Sequence, residues 1–202
     1  MRTERLELRL PDEAELQVLV DVAEEGVHPP DEMPFEVAWT DGIGKPGFAE
    51  AFTSFHLGSR EAWTPEAWSL DLGVFADGEP MGCQGIRGER FAETRRVVTG
   101  SWLGQRYQGR GYGTEMRAAV LELAFAGLGA DVAISGHADG NRQSMRVSEK
   151  LGYETVAEGF VQPRGYPIRH FELALTRERW AASKRIPVEL DGVESSLALF
   201  GL

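Results

Sequence analysis

The chain has one cysteine, Cys83, so no internal disulfide framework can form, which suits a reducing compartment. Cys83 sits in the strand-like run Met81-Gly82-Cys83-Gln84-Gly85-Ile86-Arg87 and reads as a small core residue rather than a nucleophile. No stretch approaches the roughly 20 apolar residues of a membrane span. The first residues, Met1-Arg2-Thr3-Glu4-Arg5-Leu6-Glu7, lack the apolar run of a signal peptide. A cytoplasmic protein is expected, with no membrane partner. Positive charge is also scarce: 21 Lys and Arg stand against 32 Asp and Glu, a net charge of −11. That argues against nucleic acid, which calls for a basic footprint. It suits solubility, and it suits a cationic acceptor steered by the general field. No repeat, low-complexity segment or metal site is expected.

What remains is ordinary for a globular chain: 202 residues, 42% hydrophobic and 26% charged, enough for one domain with a sizeable core. The first strand is Arg5-Leu6-Glu7-Leu8-Arg9-Leu10, which alternates with period 2. Pro11-Asp12 opens a helix with Leu16, Leu19, Val20 and Ala23 on its apolar face and Gly26 as its stop. The proline-broken stretch 27–40 carries Met33, Phe35, Val37 and Trp39, large groups in a non-regular loop that suits binding or a lid. A second helix is expected over 46–63, with His56 in a structural role. Strands at 69–76 and 81–87 flank the turn signal Asp77-Gly78. Further strands are expected at 95–103, 131–137, 154–158 and 169–175, with helices at 113–127 and 141–151. These make a mixed sheet with helices on both faces. Residues 1–180 are expected to form the domain. Residues 181–202 would be a tail, with one more strand near Ile186–Gly192, packing on the domain or on the partner of a homodimer.

The most specific stretch is Ser101-Trp102-Leu103-Gly104-Gln105-Arg106-Tyr107-Gln108-Gly109-Arg110-Gly111-Tyr112-Gly113-Thr114-Glu115. A strand empties into a glycine-rich turn and then a helix start. Free N–H groups and the helix dipole make such a place favourable for a phosphate. A P-loop would need Lys-Ser/Thr after Gly109, where Arg110-Gly111 stand. A Rossmann loop would need G-x-G-x-x-G on the first strand, whereas the spacing here is G-x-G-x-G in mid-chain. ATP and NAD are therefore minor alternatives.

Gln108-Gly109-Arg110-Gly111-Tyr112-Gly113 fits Gln/Arg-x-x-Gly-x-Gly/Ala at every specified position. It resembles the coenzyme-A pyrophosphate loop of the GCN5-related N-acetyltransferase (GNAT) superfamily. Asn141-Arg142-Gln143-Ser144, followed by Ser148-Glu149-Lys150-Leu151-Gly152-Tyr153, resembles the block that closes the acetyl-CoA site in the RimJ/RimL-like branch. The resemblance implies the GNAT α/β (α+β) fold, a mostly antiparallel twisted sheet of about seven strands. It also implies acyl transfer from acetyl-CoA to a primary amine, on a protein N-terminus or a small molecule. Backbone N–H groups of Gly109, Arg110, Gly111, Tyr112, Gly113 and Thr114 would hold the pyrophosphate. Gln108 would brace the turn, and Arg106 and Arg110 are placed to add charge. Trp102 and Leu103 would hold the pantetheine arm and aim an N–H at the thioester carbonyl. Asn141 would bond the pantetheine amides as well as capping its helix. The segment holding Met33, Phe35 and Trp39 would wall the acceptor pocket.

Two expected groups are missing. The commonest acid, a Tyr three residues before the Leu of Leu-Gly-Tyr, is replaced by Ser148. The RimL-like pattern points instead to Ser144, as an acid or as a hydrogen-bond partner of the sulfur. The strand before the loop, Val97-Val98-Thr99-Gly100-Ser101, lacks the Glu base that family members often place there. His28, Glu32, Glu36, His137 and Asp139 remain as base candidates. Freeing a proton at pH 7 costs ~1.4 kcal/mol for an α-amine and ~4.6 kcal/mol for lysine, so an α-amine is the easier acceptor. Two alternatives stay open: a non-catalytic acyl-CoA sensor, and a different donor such as succinyl-CoA.

Overall fold

A computed structural model describes residues 1–183 and 186–202. Seven strands form one sheet: β1 (Glu7–Arg9), β2 (Ala67–Ala76), β3 (Glu79–Glu89), β4 (Arg96–Leu103), β5 (Val132–Ala138), β6 (Glu154–Val161) and β7 (Ile168–Thr176). Their order is β1-β2-β3-β4-β5-β7-β6, and every neighbouring pair is antiparallel except β4 with β5. The expected mixed, mostly antiparallel sheet is what forms.

Helices α1 (Glu13–Glu24) and α2 (Phe48–Glu61) cover one face. On the other face lie α4 (Tyr112–Glu122), which runs on through a π turn at Leu123–Gly127, and α5 (Arg142–Leu151). Short helices α3 (Phe91–Thr94), α6 (Arg177–Ala182) and α7 (Val193–Ser196) complete the chain. Helix α1 starts where Pro11-Asp12 predicts, because Asp12 accepts from Glu15 N at 2.9 Å while Glu15 accepts from Asp12 N at 2.9 Å. That reciprocal capping satisfies two orphan donors at once.

The core splits along the sheet. One cluster, including Leu16, Leu19, Val20, Phe48, Phe52 and Cys83, lies under α1 and α2. The larger one holds Met81, Ile86, Val97, Met116, Val120, Leu121 and Leu175 around α4. Cys83 is buried, and burial pushes its thiol well above the usual range, as a core cysteine requires. His56 is buried beside it, with Nε2 3.9 Å from Cys83 Sγ.

The extra strand expected near Ile186–Gly192 reduces to a single bridge, Arg2 with Glu189. Pro187 lacks the N–H that a continuous ladder needs. Phe200 is buried edge-on against Trp68 with ring centroids 4.9 Å apart.

Candidate active site

Strands β4 and β5 pair at only three positions, Arg96 with Val132, Val97 with Ala133 and Val98 with Ile134. Strand β4 continues to Leu103 along β3, and β5 continues to Ala138 along β7. Beyond Val98 and Ile134 the two strands part into a fork, and their facing backbone groups have no strand partner. Buried backbone polar groups are nearly always paired, so such an edge suits an extended polar ligand. At the root of the fork, Thr99 Oγ1 donates to Ile134 O at 3.1 Å.

Beneath the fork lies Arg117, only 4% exposed. Its Nη1 donates to Ser135 Oγ on β5 at 2.6 Å, its Nη2 to Ser101 Oγ on β4 at 3.0 Å, and its Nε to Gln84 Oε1 at 3.3 Å. All three acceptors are neutral. Gln84 in turn donates to Gly100 O and Gly85 O, both at 3.0 Å. Strands β3 and β4 approach so closely at the fork's outer arm that a Cβ on Gly82 would lie 2.8 Å from Leu103 Cα.

The fork opens onto the glycine turn. Gln108 Nε2 donates to both Leu103 O and Val27 O at 2.8 Å, tying the turn to β4 and to the end of the α1 segment. Gln105 N reaches Gly26 O at 2.9 Å. Gly109 and Gly111 take positive φ, +73° and +86°, which glycine adopts at little cost. Among the described residues, the N–H groups of Gly109 to Gly113 find no protein acceptor. They form a run of free donors at the start of an 11-residue helix. Arg106 pairs with Glu25 and donates to Tyr107 Oη at 2.8 Å, while the Arg110 side chain is exposed.

Sequence reasoning missed the support behind this turn. Glu115, in the first turn of α4, is buried and accepts from Thr3 Oγ1 at 2.6 Å and from Arg5 Nε at 2.7 Å. Arg5 Nη1 also donates to Arg110 O at 3.1 Å, and its guanidinium lies 4.6 Å from the centre of the Tyr112 ring. The contact joins residues 110 apart, and no local spacing announces it.

Asn141 caps α5, its Oδ1 accepting from Ser144 N at 3.1 Å; both side chains are half-buried. On the α1–α2 face, Trp39 meets Phe35 and Trp102 at centroid distances of 5.4 Å. Met33 is buried, so it packs beneath this loop rather than at its open surface. The aromatic group sits over the β4 arm of the fork.

The base candidates scatter. His137 lies on the other face, its ring tilted against Phe171 and its Nδ1 3.0 Å from Ala138 O. His28 is held through both nitrogens, by Thr40 Oγ1 and Pro29 O, each at 2.8 Å. Glu32 and Asp139 are exposed. Glu36 alone meets a histidine: its Oε1 lies 3.1 Å from Nε2 of His170, a residue that no spacing rule selected. The hairpin between β6 and β7 is tied to the same loop by Arg164 and Asp41, with Nη2 2.6 Å from Oδ1. The Arg164 hydrogen bond holds the Asp41 carboxyl below its usual range.

Among the described residues no group of three or more His, Cys, Asp or Glu gathers as a metal site would require. Among the described residues no helix is long and apolar enough to cross a membrane.

Residues 5–154 match the family model described as acetyltransferase (GNAT) domain. Several solved structures share the fold. Mycobacterium smegmatis RimJ in complex with CoA-disulfide is 17% identical, with 88% of each chain covered and a TM-score of 0.66. A GNAT-family acetyltransferase from Bacillus anthracis is 17% identical over 88% of this chain and 98% of that one, with a TM-score of 0.65. A spermidine N-acetyltransferase chimera of Vibrio cholerae SpeG and hSSAT is 12% identical over 88% of this chain and 99% of that one, with a TM-score of 0.64.

Proposed function

The chain belongs to the GNAT acetyltransferase family, and from that premise we propose that it acetylates a primary amine by direct transfer within a ternary complex. Acetyl-CoA is the donor. The acceptor is the α-amine of a protein N-terminus in the RimJ/RimL manner, or a small-molecule amine. The observation that carries this reading is the fork between β4 and β5 opening onto five consecutive free N–H groups at Gly109–Gly113.

The donor's pyrophosphate rests on the N–H groups from Gly109 to Gly113, where the helix dipole adds to them, while Thr114 N is already bonded to Gly111 O at 3.1 Å. Gln108 holds the turn in place, and Arg110 meets the phosphates from the exposed side. Arg106, already paired with Glu25, contributes less. The pantetheine arm lies in the fork like an added strand against Ser101, Trp102 and Leu103. A β4 N–H there stabilises the oxyanion as it develops. Asn141 uses its NH₂ group on the pantetheine while its oxygen keeps the helix cap. Ser144 stands within the same turn and hydrogen-bonds the leaving sulfur. Phe35 and Trp39 wall the acceptor side, with Met33 supporting them from beneath.

One observation favours a second donor. The Arg117 guanidinium floors the fork with neutral partners only, a setting that would accept a terminal carboxylate such as that of succinyl-CoA.

The test is release of CoA thiol. Acetyl-CoA and succinyl-CoA are each offered with free-N-terminal tripeptides, Nα-blocked lysine peptides, spermidine and benzylamine. Release from acetyl-CoA with the tripeptides is expected. No release from either donor with any amine overturns the reading. Faster release from succinyl-CoA selects the second donor.

A further inference from the structure

We propose that His170 takes the proton of the incoming amine, with Glu36 as its positioning partner. The inference rests on the acetyl-transfer reading above and supplies the base that β4 lacks.

The position follows from strand parity. His170 on β7 stands opposite Ala138 on β5, and Glu172 stands opposite Gly136. These four residues share the face that α1 and α2 cover, the face where Trp39 and Trp102 meet. Gly136 lies on the β5 arm of the fork, two residues past its last pairing with β4. A Cβ there would fall 2.7 Å from His170 Nε2. The imidazole therefore lies directly over the fork's β5 arm, in space that only glycine leaves free. The aromatic group stands over the β4 arm, so the mouth of the fork has an apolar wall on one side and an imidazole–carboxylate pair on the other.

Among the described residues no other histidine matches it. The chain has four histidines. His56 is buried against Phe52, His28 has both nitrogens engaged, and His137 faces α5. His170 is the one among the described residues that pairs with a carboxylate. Glu36 Oε1 stands 3.1 Å from Nε2, and a proton held on that nitrogen leaves the Nδ1 lone pair to receive another. Glu36 also stabilises the imidazolium that results, as the acid of a catalytic triad does. The imidazole is 15% exposed, reachable yet partly shielded.

Two acids near this pair already have cationic partners. Glu172 is paired with Arg96, and Asp41 with Arg164. The β6 residue opposite His170 is Gly159, which carries no charge.

In the step itself, the amine N–H proton moves to His170 Nδ1 as the nitrogen lone pair attacks the thioester carbonyl. The C–N bond forms, the C–S bond breaks, and the electron pair leaves on sulfur. Water protonates the thiolate, and His170 returns its proton to water. The sum is acetyl-CoA plus amine giving amide plus CoA.

The experiment uses the full-length protein, acetyl-CoA and the best acceptor of the amine set. His170→Gln lowers kcat/KM for the amine about 10²- to 10⁴-fold at pH 7, the usual span for a lost general base. It also removes the acid limb of the pH profile. Glu36→Gln gives a smaller loss and moves that limb, and Glu36→Asp recovers part of the rate. Acetyl-CoA affinity, measured by calorimetry without acceptor, stays unchanged in all three. Independently, ¹⁵N-histidine NMR of the unmodified protein places the neutral His170 proton on Nε2. An unaltered pH profile in His170→Gln, a parallel loss of acetyl-CoA affinity, or an Nδ1–H tautomer overturns the pair while leaving acetyl transfer standing. No turnover by the unmodified protein with any amine overturns both.

Discussion

Arg117 Nη1 donates to Ser135 Oγ at 2.6 Å, tying the middle of α4 to β5 just past the point where β5 leaves β4. The same guanidinium holds β4 through Ser101 and β3 through Gln84. Its planar head therefore acts as a spacer that sets the width of the fork. Lysine has one charged atom and no such geometry. Arg117→Met strands three polar partners in the interior, each worth about 1–3 kcal/mol when left unmade, partly offset by removing a buried charge. A loss of about 2–4 kcal/mol in urea unfolding is expected, with weaker acetyl-CoA binding, and Arg117→Lys should rescue neither fully. A stable Arg117→Met protein with undiminished acetyl-CoA affinity would remove the spacer role.

Gly111 has φ of +86° and lies on the turn that offers free N–H groups. Gly111→Glu adds both a left-handed strain of about 1–2 kcal/mol and a negative charge at the anion site. Acetyl-CoA affinity should fall at least a hundredfold, about 2.7 kcal/mol. Because the residue is exposed, the fold survives the change. Calorimetry and far-UV dichroism read the two effects separately. Retained affinity would show that the turn does not hold the donor.

Arg5 does more than brace. Glu115 places a carboxylate in the first turn of the helix that should receive a phosphate, and the Arg5 ion pair cancels it. Arg5→Ala therefore exposes the loop to a negative charge, and acetyl-CoA affinity should drop roughly tenfold, more at low salt than at high. Pairing it with Glu115→Gln should restore most of that affinity even though the contact is gone. If the double variant binds as poorly as Arg5→Ala, the effect is loop disorder and the electrostatic account fails.

His56 supplies a pH dependence. Burial lowers its pKa below the ordinary 6.5, with the Phe52 ring tilted against it at a centroid distance of 4.8 Å. The unfolded chain binds this proton as pH falls through about 6.5, whereas the folded chain resists it. The contribution is thus fully present above that pH and is lost as pH falls toward the folded value. Urea midpoints should decline between about pH 7 and 5, by at most ~1.4 kcal/mol per pH unit from this group. His56→Leu should flatten that slope; an unchanged slope would assign it elsewhere.

Much of this was readable from local pattern. The Asp12–Glu15 cap, the β4–turn–α4 unit and the Asn141 cap are each set by neighbours within a few residues. The fork was not, because it depends on where two strands 35 residues apart stop pairing. Arg117 looked like one more charged helix position, and only the neutral acceptors on three strands make it buried. The His170–Glu36 contact spans most of the chain, yet a partial signal existed. Phe171, Leu173 and Leu175 on β7 alternate with Ile168, His170 and Glu172, which puts His170 on the face away from α4. Parity likewise sends His137 with Ser135 toward α4 and α5, away from the acceptor side, for all its promise as a base.

The three-residue pairing of β4 with β5 has a mechanical consequence. Strands β1–β4 form one antiparallel sheet and β5–β7–β6 another, and the two are welded edge to edge over three residue pairs. A weld so short is a natural hinge line, reinforced from below by the Arg117 bonds. A donor lying in the fork would bridge both halves with backbone hydrogen bonds and complete the sheet. Acetyl-CoA at a hundred times its Kd would then add about 2.7 kcal/mol to unfolding, and the slowed amide exchange should be concentrated along this seam.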